Sequence, residues 1–540
     1  MGSVSTDVVF VTPSVSPSLR QESIGTLILA KKAQQANFSV RIVRFWDVVI
    51  NCYDSFRKDL SDHILEFYPK IVCFYCRSAE YHILVDLANI IKVYRPNTYV
   101  VFGGPQAELV CEETLMSFPC IDYVCCGEGE NTIVPLLDFL INEHDNTTIK
   151  RTINGLVYRG ENNSIIKNPA PNMLPDNYVR TFSYYDMIPD EVIRASNSVT
   201  FDVGRGCPFS CTFCSTKTFW KQKFRLRDLS NTINEIEYII NCIGEKLLTF
   251  SHDHFTVSKL RVMNFCREIS SLGRNIQWTC SSRIDCLDYE IIDVMASSGL
   301  VAIYFGVETG SMRMQRIINK NLVIQKCIDI VKYTIDKGIC VTTSFIYGFP
   351  EESLDDLEET LKIIHSFLAL GVDVQLHRLS FEAGSALYRK YHGELVFSRE
   401  IINNKFGVKE LSDLIENHPD VFSSFWDYPS ELRRKMKYLQ LFHKIGMTYP
   451  QIYHMLFNCM YSGGIKYVDA YLLVFELLKD TLGRIASKPI KFSRAICYFL
   501  FEKLIMRLLD VSCSQKYGSI KLDYKQLDKC RMLLNSSKRV

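Results

Sequence analysis

The chain lacks any hydrophobic run long enough to cross a membrane. Its most apolar late stretch, residues 495–509, is interrupted by Glu502, Lys503 and Arg507, whereas a membrane-spanning helix needs about 20 consecutive apolar residues. A signal peptide is missing as well, because the apolar run at residues 8–11 is too short for a hydrophobic signal core. We therefore expect a cytoplasmic protein with no membrane span.

An excess of charge is also absent. The 62 Lys and Arg side chains almost balance the 60 Asp and Glu side chains, for a net charge of +2, so no general attraction to nucleic acid or anionic membranes is implied. The 540 residues are too many for one ordinary core, and two or three domains are expected. The 20 cysteines are not expected to form a small disulfide scaffold in a chain of this size.

Three cysteines stand apart by their spacing. Cys207, Cys211 and Cys214 form a C-x3-C-x2-C pattern in GRGCPFSCTFC, directly after a strand-like run at residues 199–203. Such a loop can bring three thiolates to three corners of an iron–sulfur cube, which leaves the fourth iron open. Zinc sites more often show two C-x2-C pairs or Cys/His sets, and neither follows here. With Phe213 just before the third cysteine, this spacing resembles the radical S-adenosylmethionine (SAM) superfamily.

Residues 1–145 predict a doubly wound parallel sheet. Short apolar runs alternate with helical patterns, the runs lying near residues 8–12, 39–45, 71–76, 99–102 and 123–126. Ligands of such sheets bind at the carboxyl ends of the strands. Three of those ends carry polar or glycine-rich turns, which are Arg77-Ser78, Gly103-Gly104-Pro105 and Gly127-Glu128-Gly129-Glu130. Placed before the cysteine loop, these turns resemble the cobalamin-binding domain fused to many radical SAM enzymes.

That resemblance implies cobalamin contacts at Arg77, Ser78, Gly103, Gly104, Gly127, Glu128 and Glu130. Proteins that ligate cobalt through histidine carry a D-x-H-x-x-G string, and this sequence has none. The lower face of the cobalt is therefore not expected to be histidine-ligated. Arg77, just after the third strand, is the candidate to face the cobalt, and a plain surface arginine is the alternative.

The rest of the chain divides into three parts. Residues 146–198 are interpreted as a linker with a hairpin at residues 152–167. Residues 199–390 show six strand–helix repeats, which suggest the partial (β/α)6 barrel that the radical SAM resemblance implies. Residues 391–540 carry amphipathic helical patterns and are predicted to form an α-helical C-terminal domain.

Residues at the carboxyl ends of the predicted barrel strands are the candidate SAM contacts, because functional residues of such barrels cluster there. The resemblance assigns Glu308 to the ribose or amino group of SAM. Arg283 can pair with the SAM carboxylate through its planar fork, and Asp285 is an alternative partner that would hold Arg283 in place.

Two more contacts with the adenine of SAM are expected from the same resemblance. The stretch SFIYGFPE at residues 344–351 is similar to the family pattern G-x-I-x-G-x-x-E, with Ser344 in place of the first glycine. Ile346 is expected to pack on the adenine. Phe213, in the cysteine loop, is expected to offer it backbone contacts.

The second barrel strand ends in Ser-His-Asp-His, where relatives often carry two acidic residues. His252 and His254 are candidate proton-transfer groups, because histidine titrates near neutral pH. Hydrogen-bonded loop histidines are the alternative interpretation. Asp253 either caps the following helix or faces the substrate.

The resemblance implies a cobalamin-dependent radical SAM enzyme, with a methyltransferase as the leading hypothesis. Its cofactors would be a [4Fe–4S] cluster, SAM and cobalamin, and a 5′-deoxyadenosyl radical would activate an unactivated carbon for methylation. The alternatives are a rearrangement, ring contraction or cyclisation with the same cofactors, or a non-catalytic cobalamin or cluster sensor. Expected partners are a small-molecule or peptide substrate and an electron donor such as flavodoxin or ferredoxin, with no nucleic acid.

Overall fold

Two parallel β-sheets, one after the other along the chain, organise the structure. The computed structural model describes residues 5–18, 22–142, 146–397, 406–462, 464–486, 494–512 and 529–534. Helices pack on both sheets, and further helices follow the second sheet. The predicted α/β fold class, with an N-terminal doubly wound sheet, a partial barrel and helices after it, is confirmed.

The N-terminal sheet has seven strands in the order β2-β1-β3-β4-β5-β6-β7. Its first five strands run parallel, and all of them except the edge strand β2 are rich in apolar residues buried on both faces, as helix-covered parallel strands are. The strands are β1 (Val8–Thr12), β2 (Val40–Arg44), β3 (Ile71–Tyr75), β4 (Tyr99–Gly103), β5 (Tyr123–Cys125), β6 (Leu156–Arg159) and β7 (Ile165–Lys167). The helices up to the second sheet are α1 (Ile24–Gln35), α2 (Tyr53–Leu65), α3 (Tyr81–Tyr94), α4 (Pro105–Leu109), α5 (Cys111–Ser117), α6 (Ile133–Asn142), α7 (Thr147–Thr152) and α8 (Asp190–Ala195).

The predicted hairpin belongs to this sheet and not to a separate linker. β6 runs antiparallel to β5, with Val157 opposite Val124, and β7 runs antiparallel to β6. Both of these valines are fully buried. The hairpin has an apolar face to cover, and the free edge of β5 offers it backbone hydrogen bonds. The N-terminal sheet therefore extends to Lys167, past the predicted boundary at residue 145.

The second sheet has six parallel strands that follow one another in chain order, as predicted for the partial barrel. They are β8 (Ser198–Asp202), β11 (Leu247–Ser251), β12 (Trp278–Ser282), β13 (Leu300–Glu308), β14 (Cys340–Tyr347) and β15 (Asp373–Arg378). The short strands β9 (Gly204–Arg205) and β10 (Arg225–Leu226) pair with each other next to the sheet. Its helices are α9 (Thr216–Phe219), α10 (Leu229–Tyr238), α11 (Lys259–Ser271), α12 (Tyr289–Ser297), α13 (Met312–Ile317), α14 (Ile324–Asp336), α15 (Leu354–Ala369) and α16 (Ala386–Tyr391).

The two faces of the barrel sheet differ in polarity. Ile303 and Phe305 of β13 are buried in the core formed with the helices. Tyr304 lies between them in sequence and therefore on the inner face, where its hydroxyl interacts with the Ser344 side chain of β14. The outer face thus holds the barrel together, and the inner face is available for polar ligands.

The residues after 391 are divided between the two domains. Residues 406–425 pack on the N-terminal domain, where the Phe422 ring lies 6.1 Å from the Tyr81 ring and Gln106 donates to the Val421 carbonyl over 2.9 Å. The later helices pack on the barrel, and Phe442 and Tyr453 belong to the barrel core. The elements are β16 (Val396–Phe397), β17 (Trp426–Asp427), α17 (Ser412–Glu416), α18 (Glu431–Lys435), α19 (Leu439–Gly446), α20 (Pro450–Ser462), α21 (Tyr467–Ala486) and α22 (Arg494–Ser512). None of the described helices combines the length and the hydropathy needed to span a bilayer.

Candidate functional site

The three predicted cluster cysteines lie on one loop between β9 and α9. Cys207, Cys211 and Cys214 are half-buried and none is in a disulfide. Burial raises the pKa of Cys207 to about 11, and the charges of the other two thiols act in the same direction, so the three lie within electrostatic reach of one another. Among the described residues no three Cys, His, Asp or Glu side chains converge on a single metal ion. An iron–sulfur cube takes each thiolate at a separate corner, and the assignment of these three thiols to such a cube stays a prediction.

The loop is held in place by the segment that follows α13. Asn319 donates from Nδ2 to the Ser210 carbonyl over 3.1 Å and to the Ser210 hydroxyl over 3.0 Å. The Thr212 N–H donates to the Ile318 carbonyl over 2.9 Å. These bonds fix the backbone around Cys211 from outside the loop.

Arg283, predicted as a SAM contact, lies beside the cluster loop. Its Nη1 is 3.6 Å from the Cys211 sulfur, and its guanidinium lies 3.9 Å from the centre of the Phe209 ring. Asp285 accepts from its Nε over 3.0 Å and from its Nη2 over 2.8 Å. The alternative partner Asp285 is therefore present, and it keeps a positive charge next to the thiols. The contact between Arg283 and the SAM carboxylate stays a prediction.

Lys320 is a residue of this site that sequence reasoning missed. Its Nζ lies 2.6 Å from Glu308 Oε1, and both side chains are buried. Glu308 has a left-handed backbone with a φ of 70°, which is costly outside glycine. A Cβ added at Gly306 would lie 2.3 Å from the Glu308 carboxylate, so only glycine leaves room for the pair. Lys320 stands in no recognised motif, and no signal in the sequence marked it.

The predicted adenine contacts lie together. Phe213 and Ile346 both pack at the margin of one apolar cluster, in which the Phe213 ring lies 6.0 Å from the Phe349 ring. Ser344 is buried on the inner side of β14. The structure thus places the cysteine loop beside the carboxyl end of β14.

The two candidate histidines are tied to the backbone. His254 is buried, its Nδ1 accepts from the Arg283 N–H over 3.4 Å, and its Nε2 lies 3.3 Å from the Cys286 sulfur. The Nδ1 of His252 accepts from the His254 N–H over 2.8 Å. Burial lowers the pKa of His252 to about 4 and that of His254 to about 3. Both rings are neutral at neutral pH, in line with the alternative of hydrogen-bonded loop histidines.

Asp253 differs from its two neighbours because its side chain is exposed. It does not cap α11, whose N-cap is Ser258, so that prediction is wrong. Although Asp253 is exposed at the cleft, the protein around its carboxylate removes part of its hydration, which raises the pKa of Asp253 despite hydrogen bonds from the Trp220 indole and the Gly206 N–H. The carboxylate faces a cleft between the two domains.

This cleft has a volume of about 580 Å³ and separates the N-terminal sheet from the barrel. Its N-terminal wall includes the carboxyl ends of β3, β4 and β5, at Tyr75, Gly103, Gly104, Gly127, Glu128, Gly129 and Glu130. Its barrel wall includes Arg205, Ser215, Thr216, Trp220, His252 and Asp253. A second cavity, of about 830 Å³, opens at the opposite ends of the barrel strands, by Ser198, Leu247 and Gln277, and is lined by none of the predicted site residues.

Glycine turns form a large part of the N-terminal wall. Gly104 has a φ of 101°, and an added Cβ would lie 3.0 Å from the Cys76 carbonyl. Such a wall suits a bulky planar cofactor, because the backbone itself can approach the ligand. Arg77 and Ser78 are not part of the wall, and the half-exposed Arg77 pairs with Glu80 at 3.0 Å. The role of Arg77 in facing cobalt stays a prediction.

Glu128 and Glu130 link the domains. Arg205 donates to Glu128 over 2.8 Å and also pairs with Glu130, while Arg225 lies 2.9 Å from Glu128. Burial acts to raise the pKa of Glu128, but Arg225 and Arg205 outweigh it and keep that pKa below its usual value. The two predicted cofactor contacts are thus charged partners of the barrel as well as part of the cleft.

Two family models match the chain on either side of this cleft. A B12 binding domain matches residues 15–137, and the radical SAM superfamily matches residues 201–364. The chain belongs to the radical SAM proteins that carry a B12-binding domain. These domains imply a [4Fe–4S] cluster, SAM and cobalamin, so the predicted cofactors are confirmed at the level of the family.

Curated relatives of this B12-binding radical SAM protein include methyltransferases and cyclases. It is 32% identical over 308 residues to an uncharacterized methyltransferase of Pyrococcus horikoshii, covering 56% of this chain and 66% of that protein. It is 25% identical over 285 residues to the anaerobic magnesium-protoporphyrin IX monomethyl ester cyclase of Rubrivivax gelatinosus, covering 51% of this chain and 50% of that one. The chain thus spans between half and two thirds of these relatives' lengths.

Solved structures share the fold over a larger part of the chain. The cobalamin-dependent SAM radical enzyme OxsB, with aqua-cobalamin and SAM bound, covers 98% of this chain with a TM-score of 0.63, 14% identity and 84% of its own chain matched. The radical SAM methyltransferase TsrM from Kitasatospora setae, with tryptophan and a SAM analog bound, covers 81% with a TM-score of 0.62, 16% identity and 89% of its own chain matched. At these identities the likeness concerns the fold.

Proposed function

We propose that this protein is a cobalamin-dependent radical SAM methyltransferase that methylates an unactivated carbon. The observation that carries the proposal is the position of the interdomain cleft. Its N-terminal wall is made by the glycine turns of the B12-binding domain, and its barrel wall includes Ser215 and Thr216, the two residues after Cys214. A methyl carrier in this cleft would lie beside the loop where SAM is cleaved.

The residues of the chain fit the three cofactors. The thiols of Cys207, Cys211 and Cys214 would hold the cluster and leave one iron open for SAM. Arg283 places a positive charge 3.6 Å from the Cys211 sulfur, a position from which it can also attract the SAM carboxylate. When bound, the cluster and SAM would supply a 5′-deoxyadenosyl radical and cobalamin the methyl group, while the protein binds, orients and excludes side reactions.

Cyclisation or rearrangement with the same cofactors is the second candidate function. The observation that favours it is the similarity to the magnesium-protoporphyrin IX monomethyl ester cyclase of Rubrivivax gelatinosus. A non-catalytic sensor is supported less, because the residues expected to contact SAM, among them Arg283 and Glu308, are largely retained, and a sensor needs no such set.

The proposal also covers the substrate, the electron donor and the localisation of the enzyme. A small-molecule or peptide substrate would enter the barrel mouth, and a low-potential donor such as flavodoxin or ferredoxin would reduce the cluster. We keep the expected cytoplasmic localisation, because thiolates that hold a cluster need a reducing compartment.

An anaerobic reconstitution tests the proposal. The protein is loaded with iron, sulfide and hydroxocobalamin, SAM and dithionite are added, and the nucleoside products are measured by mass spectrometry. Retained cobalamin with both 5′-deoxyadenosine and S-adenosylhomocysteine supports methyl transfer. 5′-Deoxyadenosine alone favours the second candidate, and a protein that retains no cobalamin contradicts both.

Cys211→Ala and Cys242→Ser make a matched pair for this assay. Cys242 is exposed and far from the cluster loop in the sequence, so its loss should change neither the iron content nor the products. Cys211→Ala should lose the cluster absorption and both nucleosides. Equal cluster content in the two variants would show that the cysteine loop has been misassigned.

A further inference from the structure

Tyr75 lines the cleft at the end of a strand of the N-terminal sheet. It is the last residue of β3, lies opposite Gly103 of β4 and forms part of the N-terminal wall. Its ring packs against the next turn, where Cδ2 lies 3.1 Å from the position of a Cβ on Gly104. A larger residue at 104 would push the ring away, so the turn and the tyrosine fit each other.

The other polar side chains of the N-terminal wall already have partners. The Thr26 hydroxyl donates to Ser23 over 3.0 Å. Glu128 and Glu130 are engaged by arginines of the barrel. The Tyr75 hydroxyl, in contrast, makes no hydrogen bond to any residue that the structure describes. A phenol at the edge of a glycine-rich wall has a hydroxyl that can hydrogen-bond a ligand.

The hydroxyl can act as a donor. Burial raises the pKa of Tyr75, so the group keeps its proton at neutral pH. Asp253 lies on the opposite wall of the same cleft. A molecule that fills the cleft therefore meets a hydroxyl on one side and a carboxylate on the other.

Arg77 does not share this position. Its guanidinium donates from Nε and Nη2 to Glu80 over 3.2 and 3.0 Å, and nearly half of the side chain is exposed. It is absent from the residues that line the cleft. To contact a ligand in the cleft, the Arg77 guanidinium would have to leave both of its hydrogen bonds to Glu80.

We propose that the Tyr75 hydroxyl holds the bound cobalamin by a hydrogen bond to a corrin amide, and that Arg77 stays outside the contact. The proposal rests on the proposed function, since it assumes that cobalamin binds in this cleft. Amide side chains surround the corrin ring and accept hydrogen bonds from a phenol. Tyr75 is thus a positioning residue for the cofactor.

Equilibrium dialysis with hydroxocobalamin tests this assignment on the full chain. A hydrogen bond of about 1 kcal/mol corresponds to a roughly fivefold change in Kd, so Tyr75→Phe should bind about fivefold more weakly than wild type. Arg77→Ala should stay within about twofold of wild type. Tyr94→Phe, on an exposed tyrosine at the far end of α3, is the matched control.

The thermal midpoint of the cobalamin-free protein separates a binding role from a structural one. Because the Tyr75 hydroxyl has no partner among the described residues, Tyr75→Phe should melt like wild type without cobalamin and gain less stability from it. A wild-type Kd for Tyr75→Phe, or a loss of affinity in Arg77→Ala as large as in Tyr75→Phe, would overturn the assignment. A wild-type protein that binds no cobalamin would instead contradict the proposed function.

Discussion

The Arg205 guanidinium donates from Nη1 to Glu128 Oε1 over 2.8 Å, and this bond joins the two domains next to the cluster loop. Arg205 stands two residues before the first cluster cysteine, and Glu128 stands in a glycine turn of the B12-binding domain. Arg225 lies 2.9 Å from the same carboxylate. The exposed fractions of the side chains are 13% for Arg205, 3% for Glu128 and 5% for Arg225. Because water reaches these groups so little, each charge is stabilised mainly by its charged partners.

Glu128→Ala should therefore be strongly destabilising. The change removes the carboxylate that the buried Arg225 pairs with, while Arg205 keeps Glu130, and breaking a buried pair costs about 3–5 kcal/mol. The measurement is the urea midpoint of the cofactor-free protein. Glu161→Ala removes an exposed glutamate of the same domain and should change stability by no more than about 0.5 kcal/mol. Equal midpoints for the two variants would contradict a structural role for the interdomain pair.

The sequence predicted where these residues lie but not what they contact. Strand–helix alternation placed the glycine turns and Glu128 at the carboxyl ends of the parallel strands, and the structure agrees. The partner Arg225 is 97 residues away in sequence, and a side-chain contact between domains leaves no periodic signal. The hairpin is a second example. Its two strands could be predicted from the local sequence pattern, but their pairing with the edge of β5 depends on tertiary packing and could not.

The contact between Lys320 and Glu308, which the sequence did not predict, can be tested by mutation. Lys320→Met leaves the Glu308 carboxylate buried without a counter-charge and should cost about 3–5 kcal/mol. Glu308→Gln in the same chain removes the orphaned charge and should recover part of the loss, with a coupling of about 0.5–3 kcal/mol in a double-mutant cycle. The unfolding free energies of the four proteins provide the measurement. Additive effects would show that the 2.6 Å contact is not energetically coupled.

Gly104→Ala should disturb the N-terminal wall of the cleft. The φ of 101° suits glycine alone, and the new methyl carbon would lie 3.0 Å from the Cys76 carbonyl. Backbone strain of this kind costs about 1–3 kcal/mol, and the displaced turn should also weaken cobalamin binding. Gly393→Ala has open space around the new carbon and is the control. The urea midpoint and the Kd for hydroxocobalamin are measured for both variants. If Gly104→Ala equals the control in both, the turn at Gly104 does not require glycine.

Glu352 should give stability a measurable pH dependence. Its carboxylate accepts hydrogen bonds from the Gly348 and Phe349 N–H groups, while Oε1 has no partner among the described residues. Burial raises the pKa of Glu352 to about 8, whereas an unfolded glutamate titrates near a pKa of about 4.3. Between these values the folded state holds the proton and the unfolded state has released it.

Because the folded state binds more protons in that window, the stability that Glu352 contributes is complete below about pH 4 and is lost as the pH rises towards 8. The slope is at most about 1.4 kcal/mol per pH unit. Glu352→Gln keeps a neutral side chain at every pH and should flatten the curve of urea midpoint against pH between 5 and 8. Glu359→Gln, on the exposed face of α15, should keep the wild-type slope. Parallel curves for the wild type, Glu352→Gln and Glu359→Gln would contradict the prediction. They would mean that the pKa of Glu352 is ordinary and that its buried carboxylate is charged at neutral pH.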